Sequence, residues 1–472
     1  MCLGKGCMVP RIIPSYNRSM RNDSSKSDYY KTLFKLMVPI TVQQLFNSGL
    51  GLVDNMLVGQ LGETAVAAVS LGYQVYFVLF IFYFGVNTGS AIFAAQFWGN
   101  NDPHSIRKVL GLNLIINLTI GVIFTTVAQL IPEKVIGIYT NDPAVIVLGA
   151  RYLRTYSFSY IIMGFSYGIF NILRSTENVR IPMIVNSCAL IVNTSLGFIL
   201  IFGHLGFQPQ GILGSAYAAI TARILEFATI IIILFASHSY LVRELKQIFD
   251  IKKEFLIRFM RTTLPVAVNE LVWSVGVTTY SAIYAHISTE AVAATNIAGS
   301  IENLAFVPFI GLGNAAAIMI GKRIGAGEEH TAQDIAKRSL TLAIMGGLGM
   351  GAVMYLNRGW LLDIYKVSEL THHNANLVIS LLSLVMAGKA WNMVIFIGVL
   401  RSGGDTSRAL LIEMSTMWLY GVPFAWVGAN LLHFPIEYVV ALVASEEIIK
   451  GVIVFFRFRS GKWIHNLVHT AA

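Results

Sequence analysis

The chain has 472 residues, of which 55% are hydrophobic and only 12% charged, and its mean hydropathy is +0.65. A soluble domain carries about 25% charge, so these values argue against a soluble protein, and they exclude a disordered chain, which is poor in apolar residues. The formal charge of +9 falls in loops between apolar runs, which points to orientation in a membrane and not to a nucleic-acid partner.

The first 33 residues are polar and basic, with no secretory h-region before residue 35. Met20 is a plausible start, leaving residues 20–35 as a tail. The three cysteines, Cys2, Cys7 and Cys188, form no disulfide framework and no metal-ligand spacing, and no lipidation motif fits Cys2 or Cys7. A bilayer core about 30 Å thick takes ~20 apolar residues per helix. Twelve runs of that kind follow, near 35–57, 66–96, 109–131, 146–173, 181–203, 211–237, 264–287, 294–321, 338–356, 374–400, 409–432 and 435–456. They are too long and too continuously apolar for barrel strands of ~10 residues, so helices must satisfy the backbone in lipid. The expected fold is all-α and integral to the membrane.

Lys and Arg alternate with this count. Arg107, Lys108, Arg174, Arg180, Arg243, Lys246, Lys252, Lys253, Arg258, Arg261, Lys322, Arg323, Lys337, Arg338, Arg401, Arg408, Arg457, Arg459 and Lys462 all fall on one side. The other side holds few: Lys134, Arg151, Arg154, Arg358 and Lys366. An even span number with both termini cytoplasmic follows.

Charges inside the spans are the candidate functional groups, because a mid-bilayer carboxylate costs roughly 2.5–3.5 kcal/mol on insertion scales. In the first span, Gln43, Asn47 and Asp54 lie within about 40° on one helix face, and Pro39 offers a bend. Asp54 is either a cation or proton site or a helix-end acid facing outside water. Asn186 and Asn193 stack on the fifth span, as site residues or as interhelical glue. In the seventh, Asn269 and Glu270 follow Pro265. Lys389 is a mid-span lysine that needs a counter-charge, and a Glu270–Lys389 pair is expected. Glu302 in the eighth span is a further cleft candidate or a structural hydrogen-bonder. Arg223 with Glu226, and Glu446 or Glu447 with Lys450, read as self-neutralising structural pairs. Arg174 and Arg401 read as caps at the cytoplasmic ends of equivalent spans. Met163, Met183, Met319 and Met393 are candidates for an adaptable apolar surface, though apolar helices carry such residues anyway.

An internal repeat organises the chain. Shifting by 226 positions places 61–101 on 287–327 without a gap: Ala65-Val66-Ala67-Ala68 on Ala291-Val292-Ala293-Ala294, Gly85 on Gly311, Gly99 on Gly325. Leu173-Arg174-Ser175 recurs as Leu400-Arg401-Ser402 at an offset of 227. Six spans therefore repeat in the same orientation, as in transporters built from parallel halves around an axis along the membrane normal. The divisions are a cytoplasmic tail over 1–34, a six-helix lobe over 35–237, a basic linker over 238–263, a second six-helix lobe over 264–456 and a cytoplasmic tail over 457–472.

Three motifs now carry a resemblance. Pro39 with Val53-Asp54-Asn55-Met56-Leu57-Val58-Gly59-Gln60-Leu61-Gly62, then Gly85-Val86-Asn87-Thr88-Gly89 with Ala94-Ala95-Gln96-Phe97-Trp98-Gly99, then Gly398-Val399-Leu400-Arg401-Ser402-Gly403-Gly404-Asp405 resemble the multidrug and toxic compound extrusion (MATE) transporters from about residue 30 onward. The resemblance implies two six-helix lobes around a cleft. It implies export of organic, often cationic, small molecules from the cell across the cytoplasmic membrane by alternating access, in exchange for Na⁺ or H⁺. It adds no cofactor beyond that coupling ion and suggests a monomer in the bilayer. In similar proteins the first-helix aspartate, here Asp54, is the coupling residue of the N-terminal lobe, Asn193 matches an asparagine lining that lobe, and many relatives carry a glutamate near Glu270. Na⁺ would sit at Asp54 or Glu270. Where the family often has an aspartate, four residues after Asn193, this chain has Gly197.

Two other readings compete. A lipid-linked oligosaccharide flippase of the same superfamily should hold several unpaired cations for a pyrophosphate, and only Lys389 and Arg223 are clearly mid-span. An intramembrane enzyme or receptor has nothing to support it: the chain has no GxxxxGK[ST] loop, no nucleophile–base arrangement and no metal pattern at His372 and His373.

Overall fold

The computed structural model describes residues 26–244, 247–248 and 250–468. Cys2, Cys7, Met20, most of the N-terminal tail, Lys246 and the last four residues lie outside them. The described chain is almost wholly helical. The N-terminal half comprises α1 (Lys26–Gly59), α2 (Glu63–Gly99), α3 (Pro103–Leu130), a short α4 (Pro132–Gly137), α5 (Pro143–Tyr156), α6 (Phe158–Ser175), α7 (Arg180–Phe202) and α8 (Ile212–Ala236). The C-terminal half comprises α9 (Lys253–Ile287), α10 (Thr289–Gly325), α11 (Glu329–Asp363), α12 (Glu369–Met393), α13 (Thr406–Thr416), α14 (Val422–Trp426) and α15 (Ile436–Arg459).

Among the described residues, nine helices are long and apolar enough to cross a bilayer by themselves. The other three spans are present but polar or broken. The fourth is divided at Ser157 into α5 and α6, α9 carries Asn269 and Glu270, and α15 carries Glu446, Glu447 and Lys450. Helix starts follow ordinary capping chemistry: Asp102 accepts from the Ser105 N–H and Asp142 from that of Ala144, each with proline at the first turn. Three π-helical turns, Val394–Arg401, Met417–Gly421 and Val427–Leu431, interrupt the C-terminal half. Such turns are rare and concentrate at functional sites.

The repeat is visible in the contacts between halves. A Cβ added at Gly85 would lie 2.4 Å from Ala267 Cα, and one at Gly311 would lie 2.1 Å from Thr41 Oγ1. Subtracting 226 from 267 gives 41. Further along the same helices a Cβ at Gly99 would lie 1.8 Å from the Lys322 carbonyl oxygen, and one at Gly325 the same 1.8 Å from that of Gln96. Here α2 and α10 cross backbone against backbone, which only glycine permits. The loop after α6 and the loop after α12 match as well. Glu177 and Gly404 both take positive φ (65° and 84°), and Asn178 N–H to Leu173 O parallels Asp405 N–H to Leu400 O.

These crossings close the end of the bundle that carries the basic loops. Lys322 of one half meets Glu177 of the other there at 2.7 Å. The C-terminal segment lies across the same end. Trp463 is fully buried, His465 N–H donates to Gly403 O at 2.7 Å, Leu467 N–H donates to Gln96 Oε1 at 2.7 Å and Asn466 donates to Ile324 O at 2.9 Å. The connector between halves is tied to α3: Arg107 donates to Tyr240 O at 2.9 Å, and Lys108 meets Asp250 at 2.9 Å.

Candidate functional site

In the N-terminal half the polar stripe of α1 divides into two layers. Asp54 accepts from Asn193 at 2.7 Å and from Thr194 at 2.8 Å. About 16 Å away along α1, at 1.5 Å per residue, Gln43 donates to Asn186 at 3.1 Å. Asn186 in turn reaches Glu226 at 3.5 Å, and Glu226 pairs with Arg223 at 2.5 Å. Asn47 lies half-buried between the layers. Asn193 Oδ1 is buried without a hydrogen-bond partner among the described residues, so the Asp54 layer gathers carboxylate, hydroxyl and amide oxygens, the donor set of hard cations. A shallow groove of about 390 Å³ runs beside it, lined by Val53, Leu57, Thr194 and Phe198. At Gly197 an added Cβ would meet, among the described residues, only Ala218, at 4.0 Å. The packing therefore leaves room for the side chain that this chain lacks.

The C-terminal half holds more charge. A cavity of about 720 Å³ is lined by Phe77, Phe80 and Phe84 of α2, by Asn269, Glu270, Trp273, Tyr280 and Tyr284 of α9, and by Glu302 and Phe306 of α10; Lys389, Asn392, Phe396 and Arg401 come from α12 and its π turn, Glu413 from α13, and Glu446, Glu447 and Lys450 from α15. Its α2 residues precede Gly85 and its α9 residues follow Ala267, so it lies beyond the crossings, toward the less basic end.

The expected Glu270–Lys389 pair does not form. Glu270 meets Arg401 at 2.6 Å, and Lys389 meets Glu302 at 2.5 Å. The π turn ending at Arg401 carries this arginine to the floor of the cavity, where it is nearly buried (5% exposed). It is not an interfacial cap. Lys389 and Glu302 are both further up, on the facing helices α12 and α10. Glu446 and Glu447 do share Lys450, at 3.0 and 3.2 Å, but all three face the cavity and so belong to the candidate site. Of the methionines, Met163 and Met319 are buried in the cores, whereas Met393 and Met417 line the cavity.

Asn269 donates to Glu413 at 2.6 Å. Glu413 and Thr194 are site residues without an expectation from the sequence. Glu413 had two signals: a carboxylate inside an apolar run, and an offset of 227 from Asn186. Formally, among the described residues, the cavity lining carries five carboxylates, on Glu270, Glu302, Glu413, Glu446 and Glu447, against three cations, on Lys389, Arg401 and Lys450.

Two pseudo-symmetric helical lobes with a charged aromatic cavity beside their closure define a multi-pass membrane transporter. The MatE family model matches residues 39–199 and again 265–427, one copy per half, and the chain belongs to this family, the multidrug and toxic compound extrusion transporters. It is 25% identical over 439 residues to the probable multidrug resistance protein YoeA of Bacillus subtilis, covering 90% of this chain and 94% of that one. It is 24% identical to the probable multidrug resistance protein NorM of Thermotoga maritima, covering 93% and 94%. Among solved structures, the outward-facing conformation of a multidrug resistance MATE family transporter superposes with a TM-score of 0.83 at 19% identity, covering 92% of this chain and 97% of that one. A superfamily transporter from Pyrococcus furiosus, described as having a binding pocket of reverse polarity, superposes with a TM-score of 0.84 at 19% identity, covering 92% and 95%. These relatives are transporters and not enzymes.

Proposed function

We propose that this protein is a cation-coupled antiporter, working as a monomer, that exports organic cations across the cytoplasmic membrane in exchange for Na⁺ or H⁺. The observation that carries this reading is the cavity: an aromatic lining with two carboxylates in formal excess attracts a flat cation by charge and by ring faces. The basic end, with both termini, faces the cytoplasm by the distribution of Lys and Arg. With that end closed and the cavity beyond it, the arrangement suits release to the outside. A coupling ion drives the cycle by binding the two states with different affinity. Asp54 with Asn193 and Thr194 in one lobe, and Glu270, Glu302, Lys389 and their neighbours in the other, are the groups on which we place ion and substrate. A flippase for pyrophosphate-linked glycans is disfavoured, because all three cations of the cavity contact a carboxylate.

An ethidium efflux assay in cells, with an inward Na⁺ gradient, an inward proton gradient or neither, tests this. Efflux that follows one gradient and falls at least tenfold in Asp54→Asn is the expected result. Gradient-independent dye levels equal to those of empty cells would refute it.

A further inference from the structure

The three cations of the cavity are each committed. Arg401 is taken by Glu270, Lys389 by Glu302 and Lys450 by Glu446 and Glu447. Glu446 also accepts from the hydroxyls of Tyr280 and Thr416, and Glu447 from Asn392. Among the described residues the Glu413 carboxylate has one hydrogen-bond partner only, the Asn269 amide. The field of Lys450 reaches it, but without contact. Asn269 is itself only 3% exposed, and its Oδ1 has no partner among the described residues. Turning that amide over would present Oδ1 to a protonated Glu413, or to a cation bound by it. The same side chain thus satisfies the carboxylate in either state.

The repeat places a neutral counterpart of this contact in the first lobe. Gln43–Asn186 in the first lobe and Asn269–Glu413 in the second are the same bond at offsets of 226 and 227. The fold therefore accepts a neutral amide at the position of Glu413, and packing does not require the acid. A carboxylate with no cation in contact, inside a membrane-embedded cavity, is retained at a cost unless something neutralises it.

We propose that Glu413 is the carboxylate of the C-terminal lobe that carries the coupling ion, a proton or Na⁺, while Glu270 is held by Arg401. This rests on the antiport reading above. The charged groups whose fields reach Glu413 are Glu270 of α9 and Lys450 of α15, and Arg401, Glu446 and Glu447 line the same cavity. Binding the ion removes one of the two excess charges and weakens the hold on an organic cation, which couples the two occupants.

The purified protein in proteoliposomes tests this in two ways. In gradient-driven ethidium transport, Glu413→Asn, which copies the first lobe, is expected to lose at least tenfold, and Glu413→Asp to regain part of it. In the unmodified protein, dicyclohexylcarbodiimide should label Glu413, as mapped by mass spectrometry. NaCl but not KCl should suppress the label if the ion is Na⁺, and raising the pH should suppress it if the ion is a proton. Unchanged transport by Glu413→Asn, or labelling confined to other carboxylates, overturns the proposal. Wild-type protein that moves no dye under any gradient, yet shows ion-protected labelling at Glu413, sinks the antiport reading and leaves the ion site standing.

Discussion

Asn269 and Glu413 meet at 2.6 Å in the second lobe where Gln43 and Asn186 meet at 3.1 Å in the first. One fold position thus holds a charged hydrogen bond on one side of the pseudo-two-fold axis and a neutral one on the other. A donor to a carboxylate contributes about 1.5–3 kcal/mol, and neutral interhelical bonds in bilayers average about 0.6 kcal/mol. Asn269→Ala should therefore lower the thermal midpoint in a given detergent by more than Gln43→Ala does. The reverse order would contradict the assignment.

Lys389 and Glu302 form a partly shielded pair (23% and 16% side-chain exposure). Breaking a fully buried pair costs about 3–5 kcal/mol, so for this one we expect about 2 kcal/mol. Lys389→Met should be destabilised by that amount, and Lys389→Met with Glu302→Gln should recover most of it, because the second change removes the orphaned charge. Denaturant-free thermal melts compare the two. A double variant no better than the single one would show that the pair does not act as a unit.

The crossing at the basic end predicts symmetric behaviour. Gly99→Val and Gly325→Val each force a side chain into a carbonyl that lies 1.8 Å from the ideal Cβ. Overpacking costs about 1–3 kcal/mol, and here backbone must separate from backbone. Both variants should lose stability and transport alike. Gly349→Ala, with nothing within 4 Å among the described residues, should be neutral. Cysteine accessibility at this end would report the separation.

The C-terminal segment is held by Asp405, which meets Arg457 at 2.6 Å and His465 at 3.6 Å. Burial alone would raise the Asp405 carboxyl, but the neighbouring His465 and the hydrogen bond and charge of Arg457 outweigh it and hold the carboxyl below its usual range. A depressed acid contributes stability above its unfolded value near 3.9 and loses it as the pH falls through the folded value. The contact should therefore persist from neutral pH to about pH 4 and fail only below that. Asp405→Asn should abolish this acid limb, leaving Trp463 exposed at neutral pH, as its fluorescence quenching by acrylamide would show.

The amino-acid pattern alone determined the class of molecule. Long apolar runs, alternating basic loops and a 226-residue self-match are one-dimensional features, and lipid permits few backbones that satisfy them. They also located most candidate groups, since a charge inside an apolar run stands out on its own. Tertiary structure decided who pairs with whom. Glu270 meets Arg401 and not Lys389, at the end of a π-helical turn that no local pattern announces. Glu446, Glu447 and Lys450 looked self-contained along one helix, yet α15 presents them to the cavity. Glu413 gained its place only when α13 came against α9, because the meaning of a charge depends on the three-dimensional sum of its neighbours and not on its own segment.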